Sequence, residues 1–284
     1  MSNSYAFLIF CFIMNLVSAQ EIICSAEDKN IFNSKIAELK HLTSSENKTG
    51  KNIVIVGKSF LNVPYVANTL EVGTTESLVV NLQGLDCTTF VENVLAFSLL
   101  LKNETKDIDS YTQLLEKIRY RDGKLSGYSS RLHYFSDWIT NNEKKGLLRD
   151  ITSEIGGQEI NKEINFMSTH RDLYRFLKDN DQNFEGIKIS ETQLNQEKLC
   201  FLPQDRIKDN EHLIRSGDII ALTTSIKGLD ITHTGIATRE SNGRIHLLHA
   251  STSGKVVVSK LPLVDYLKKI KNNTGIMIAR AISK

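Results

Sequence analysis

Apolar and polar positions fall into two regimes along the chain. Apolar residues at Ile31, Phe32, Ile36, Leu39 and Leu42 follow near-helical spacing, which predicts an amphipathic helix over 31–42. Residues 47–52 form a polar break. Ser77 to Leu82 reads as a short extended segment and Gly84-Leu85 as a turn. From Thr88 to Leu101 apolar residues occupy most faces, the pattern of a buried helix. Further helices are expected over 111–119, 132–141 and 166–176, followed by a polar connector from Lys178 to Glu185. The period then changes. Short apolar or alternating runs at 218–223, 234–238, 243–248, 255–258 and 275–282, broken by Gly, Asn and Ser, predict an antiparallel meander. Helices first and strands later place the chain in the α+β class.

The extreme N-terminus follows neither regime. Ala6 to Val17 is an almost unbroken apolar run, and Val17-Ser18-Ala19 supplies small residues before the polar Gln20. This predicts a signal peptide, residues 1–19, cut after Ala19, and therefore an exported protein, periplasmic or secreted. No Lys or Arg precedes the run, so an uncleaved anchor is the alternative. No later stretch is long and apolar enough to span a bilayer. Three prolines and no repeat or linker predict one domain over 20–284, elaborated by an insertion around 105–200. Hydrophobic residues make up 40% of the chain, enough for a core without staples. A net charge of +2, with both signs interspersed, gives no case for a nucleic-acid partner. A monomer is expected.

The chain has four cysteines, and Cys11 leaves with the signal peptide. Cys24, Cys87 and Cys200 remain, an odd set for an oxidising compartment, and whether Cys24 and Cys200 pair is open. Cys87 stands at the mouth of the buried helix, with Asp86 as its cap, where free backbone N–H groups favour a thiolate. The plain alternative is a small buried hydrophobe. What weighs against it is a set of histidines in the strand-rich region. His233 opens a strand with Gly235 and Ala237 on its own face, leaving room for a neighbour. His246 and His249, three positions apart on the next strand, point to opposite faces, so only one can join His233. A cysteine hydrolase needs an imidazole beside its sulfur and a third polar group to orient that imidazole. A zinc site is the chemical rival, but neither a HExxH nor a CxxC spacing occurs.

Four segments in this order carry a resemblance: Asp86-Cys87-Thr88, Gly217-Asp218, His233-Thr234-Gly235-Ile236 and His249-Ala250-Ser251-Thr252. They resemble the NlpC-type, papain-like peptidoglycan hydrolases, and more closely a branch described as N-acetylmuramoyl-L-alanine amidase-like, long catalogued as a family of unknown function. That branch's segments are similar to Asn62-Val63-Pro64-Tyr65-Val66, 76–82, 85–93, 131–139 and 165–169. The resemblance implies a papain-like α+β fold with Cys87 as nucleophile, His233 as general base and His249, rather than His246, as the orienting member. It places Tyr65 and Thr88 at the oxyanion and substrate side. Asp86 matches an aspartate that holds the substrate's free amine in related endopeptidases. It implies peptidoglycan or a muropeptide as partner and a thioester mechanism with no metal or organic cofactor. The bond expected to be cut joins muramic acid to L-alanine. The alternatives are the γ-D-glutamyl to diamino-acid bond, and a wall-binding protein without activity. The segment 131–139 concentrates Arg131, His133, Tyr134, Asp137 and Trp138, and is expected either to clamp sugar or stem peptide or to pack on the core.

Overall fold

The computed structural model describes residues 22–41 and 49–282; the expected signal peptide and its cut lie outside them. In chain order the elements are β1 (Ile22–Cys24), α1 (Ala26–Leu39), α2 (Thr49–Lys58), β2 (Leu78–Val80), α3 (Cys87–Leu100), α4 (Ile108–Arg119) and α5 (Phe135–Lys144). Next come β3 (Leu148–Asp150), β4 (Gln158–Glu159), α6 (Phe166–Thr169), α7 (Arg175–Lys178), α8 (Asp181–Leu194), β5 (Cys200–Pro203) and α9 (Ile207–Asn210). The chain closes with β6 (Ile219–Thr224), β7 (Ile231–Arg239), β8 (Ile245–Ser251), β9 (Lys255–Val258), α10 (Leu263–Leu267) and β10 (Asn273–Ala281). The α+β class with an antiparallel sheet is as read from the sequence.

Helix α3 is the axis of the molecule. Asp86 accepts from Thr89 N at 2.8 Å while the Thr89 hydroxyl accepts from Asp86 N at 2.9 Å, a reciprocal cap that fixes where the helix begins. Apolar residues all round it are buried against α2, α4 and strands β7 and β8. Its Glu92 survives burial because Arg119 of α4 donates to it at 2.8 Å, both side chains being 2% exposed, while Arg119 also donates to Val79 O of β2 at 2.7 Å. Helix, helix and strand are thus tied at one buried charge pair. Asp28 of α1 accepts from Leu82 N at 2.9 Å, anchoring the segment that leads into Cys87.

The principal sheet runs β4-β5-β10-β6-β7-β8-β9, with β3 also on β10. Strands β6 to β9 form the expected meander, but β10 does not continue it. The turn of α10 carries the chain back so that β10 pairs with β6, and β3, β4 and β5 extend the sheet beyond it. Three local expectations are corrected. The polar break at 47–52 contains the start of α2, which packs backbone to backbone: a Cβ on Gly50 would lie 2.3 Å from Ser216 O. The helix expected over 166–176 is broken between α6 and α7, and the connector 178–185 runs into α8, capped by Asn180 on Asn183 N at 2.9 Å. Cys24 and Cys200, whose pairing the sequence leaves open, are both free thiols.

Candidate active site

A cleft of about 160 Å³ opens where the start of α3 meets the start of β7, lined among others by Cys87, Thr88, His133, Tyr134, Tyr174 and His233. Register explains the placement of the histidines. In the β6–β7 ladder Leu222 pairs with His233 and Thr223 with Ile231, so a bulge falls at Thr232 immediately before the imidazole. His249 follows Leu248, which pairs with Ile236, and so lies beside Gly235. A Cβ on Gly235 would come 2.9 Å from His249 Cβ, so the missing side chain is the room His249 occupies. His233 Nε2 and His249 Nδ1 are 2.6 Å apart, with the rings at 86°. His246 takes the other face: its Nδ1 meets Ser259 O at 2.8 Å and its Nε2 meets the Asn242 amide at 3.0 Å.

Protonation follows from burial. Desolvation pushes His233 down to about 4 and, with the neighbouring His233 as second cause, His249 down to about 3, so both rings are neutral near pH 7. The Cys87 thiol is raised to about 11 by burial and then by the Asp86 carboxylate, opposed by hydrogen bonding from the Thr234 backbone and the Thr88 side chain. This corrects the expectation of a thiolate favoured by the helix start. Asp86 takes the Thr89 N–H and sets a negative charge beside the sulfur, which offsets the helix dipole. The resting pair is therefore a thiol and a neutral imidazole.

The remaining sequence candidates divide sharply. Tyr65 bridges to Leu85, two residues before the cysteine, and its hydroxyl is raised by burial and then by the charge of Cys87. His133 lines the cleft, its Nε2 2.9 Å from Tyr128 O, and burial holds its pKa well below the usual imidazole value. The surface clamp is not formed by the other three. Arg131 is buried against Tyr128 and pairs with Glu71 and Glu76. Asp137 pairs with Arg121 outside the cleft. Trp138 is fully buried, stacked on Phe135 with centroids 4.7 Å apart. Trp138→Ala is accordingly expected to cost about 3–5 kcal/mol of stability by chemical denaturation. A variant as stable as the wild type would mean that the indole carries no packing energy.

Two site residues carried no sequence signal. Asp230 caps α5 from outside that helix, accepting from Ser136 N at 2.8 Å and Ser136 Oγ at 2.7 Å, and so joins the two walls of the cleft. Tyr266 of α10 packs its ring on His249. Neither lies in a motif, and both act on residues distant in sequence, so only the fold reveals them. Among the described residues no cluster of three or more His, Cys, Asp or Glu is arranged to hold a metal ion.

Fold and site together define a class of α+β proteins in which a cysteine at a capped helix start shares a cleft with a paired imidazole. Residues 55–276 match the model of the AmiA-like family, N-acetylmuramoyl-L-alanine amidase-like, and the chain belongs to that family. A crystal structure of an N-acetylmuramoyl-L-alanine amidase from Bacteroides uniformis is 42% identical over 82% of this chain and 99% of its own, with a TM-score of 0.78. A Bacteroides fragilis protein described as a candidate xylanase is 44% identical over 80% of this chain and 99% of its own, TM-score 0.75. LPG0564 from Legionella pneumophila, matched by the DUF1460 family model, is 25% identical over 91% of this chain and 97% of its own, TM-score 0.65. A comparison with curated proteins finds no match.

Proposed function

We propose that the protein is an exported peptidoglycan hydrolase that cleaves the amide between N-acetylmuramic acid and L-alanine through a Cys87 thioester. The observation that carries this reading is that His233, hydrogen-bonded to the buried His249, lines the same cleft as Cys87. With Nε2 of His233 engaged by His249, Nδ1 is the nitrogen left to take the thiol proton. Sulfur then attacks the amide carbonyl. The oxyanion is received by the backbone N–H groups at the start of α3 and by the Tyr65 hydroxyl. His233 returns the proton to the leaving amine, and water hydrolyses the thioester.

Two observations favour this bond over its rivals. Asp86 Oδ1 accepts from both the Thr89 N–H and the Thr89 hydroxyl, each at 2.8 Å, so one oxygen of the carboxylate that would hold a substrate amine in the endopeptidase reading is already engaged by the helix cap. A glycosidase such as a xylanase needs a pair of carboxyl groups about 5–10 Å apart across the bond. Among the described residues, Asp230 is the one carboxylate lining the cleft, and it is committed to Ser136.

Digestion of a disaccharide-tetrapeptide muropeptide, followed by mass spectrometry, is expected to release a peptide beginning with L-alanine plus the free disaccharide. An isolated stem peptide is expected to be a poor substrate, because binding energy from the sugar positions the reacting amide. Efficient cleavage of the sugar-free stem after D-glutamate would move the protein to the endopeptidase class, and no product at all would favour the inactive wall-binding reading.

The pH dependence has a definite sign. His233 must be neutral to accept a proton, and its folded-state pKa of about 4 lies below the ordinary 6.5. kcat/KM should therefore fall only as pH drops towards about 4, not near 6.5. Stability changes over a wider window that opens earlier: the unfolded chain binds protons first, so stability declines as pH falls below 6.5 and levels off below the folded-state values. An acid limb at 6.5 would show that the imidazole is hydrated or ion-paired.

A further inference from the structure

Three aromatic rings stand in sequence behind the nucleophile. His233 and His249 are nearly perpendicular, and the ring of Tyr266 makes a second T-shaped contact with His249, centroids 5.4 Å apart at 68°. Tyr266 comes from α10, which packs against β8. The proton shared by two neutral imidazoles can sit on either nitrogen, and the choice decides the chemistry. With the proton on His233 Nε2, His233 Nδ1 has a bare lone pair for the thiol. With it on His249 Nδ1, His233 carries its own proton on Nδ1 and cannot accept one. The productive arrangement requires His249 to be protonated on Nε2, the ring edge turned away from His233. Among the described residues, His249 makes no side-chain hydrogen bond except that to His233. No polar partner among them therefore selects its tautomer or fixes its tilt. Packing is left to hold the ring with Nδ1 on His233, and the contacts that can do so are Gly235 beside its Cβ and the ring of Tyr266.

We propose that Tyr266 is a positioning residue for the imidazole pair, its ring holding His249 with Nδ1 towards His233 and shielding the opposite edge. This rests on the functional reading above. The Tyr266 hydroxyl is raised by burial and then by the charge of Cys87, which sets it within the field of the nucleophile. His249 is low because it is buried, with His233 as the second cause; hydrating it should bring it back towards 6.5.

The test compares Tyr266→Phe, which keeps the ring, with Tyr266→Leu, which keeps bulk without it, both in the full chain acting on the disaccharide-tetrapeptide. Tyr266→Phe is expected to match the wild type within about twofold. Tyr266→Leu is expected to lower kcat about tenfold or more with KM little changed, and to shift the acid limb upwards. Long-range 15N–1H spectra on a Cys87→Ala background should show one His249 tautomer while Tyr266 is in place and a mixture in the Tyr266→Leu variant. Unchanged kcat, acid limb and tautomer in Tyr266→Leu would overturn the proposal. So would a Tyr266→Phe variant as impaired as Tyr266→Leu, since the hydroxyl would then be the active part. If the wild type cleaves no muropeptide, the functional reading fails, while the spectra still decide whether Tyr266 sets the tautomer.

Discussion

Replacing Cys87 with alanine is expected to abolish hydrolysis, a loss on the order of 10⁴-fold or more in kcat, while the fold and the melting temperature should stay close to those of the wild type. The side chain is small and half-buried at a helix start whose cap is made by Asp86 and Thr89, so its removal deletes the proposed nucleophile without touching the cap. Cys87→Ser should be nearly as inactive. A hydroxyl is a far weaker acid than a thiol, and burial and Asp86 already work against the anion here. The raised thiol pKa adds a second expectation. In the free protein, Cys87 should alkylate with iodoacetamide no faster than an ordinary thiol at neutral pH, because proton transfer to His233 awaits the substrate. Retained turnover in Cys87→Ala would remove the thioester mechanism altogether, and rapid alkylation would show that the resting pair is ionic.

What the sequence makes legible is what local pattern dictates. The helix at Cys87 shows in its apolar run and its Asp-x-x-Thr cap. Strands β8 and β9 show in their runs of apolar residues, and the opposite facing of His246 and His249 follows from alternation alone. What stays hidden depends on partners distant in sequence. Helix α2 begins in a polar stretch because its first turn lies on Gly217 rather than on a hydrophobic face. Helix α8 carries a core-facing spacing at Ile187, Ser190, Glu191 and Leu194, but half of those positions are polar and are satisfied by neighbours such as Tyr134, which donates to Glu191 at 2.7 Å. Trp138 lies beside Asp137 in sequence, yet the whole run Phe135 to Ile139 is buried, Asp137 included because Arg121 pairs with it, so the neighbouring charge is no sign of an exposed indole. The thiol's pKa is hidden for a related reason: the dipole is visible in sequence, whereas the desolvation that outweighs it is a property of the packed site.

The two histidines of β8 offer the cleanest contrast in the molecule. His249→Ala is expected to lower kcat on the order of a hundredfold or more, through loss of the partner that holds His233 Nε2 at 2.6 Å and sets its tautomer. His246→Ala should leave turnover of the folded protein near that of the wild type and instead reduce stability by about 1–3 kcal/mol, because Ser259 O loses a buried hydrogen-bond partner. Gly235→Ala connects the first effect to the backbone. Its new Cβ would press on His249 Cβ and on Leu248 O, 2.8 Å away in the native geometry, so either the ring shifts or the β7–β8 ladder opens. In both cases the imidazole pair separates, and kcat should fall with the native cysteine still in place. Steady-state kinetics alongside thermal melts of the three variants separates these effects. If His246→Ala lost turnover while His249→Ala kept it, β8 would have to sit one residue out of register with β7. Equal, small effects from both would assign the orientation of His233 to another group.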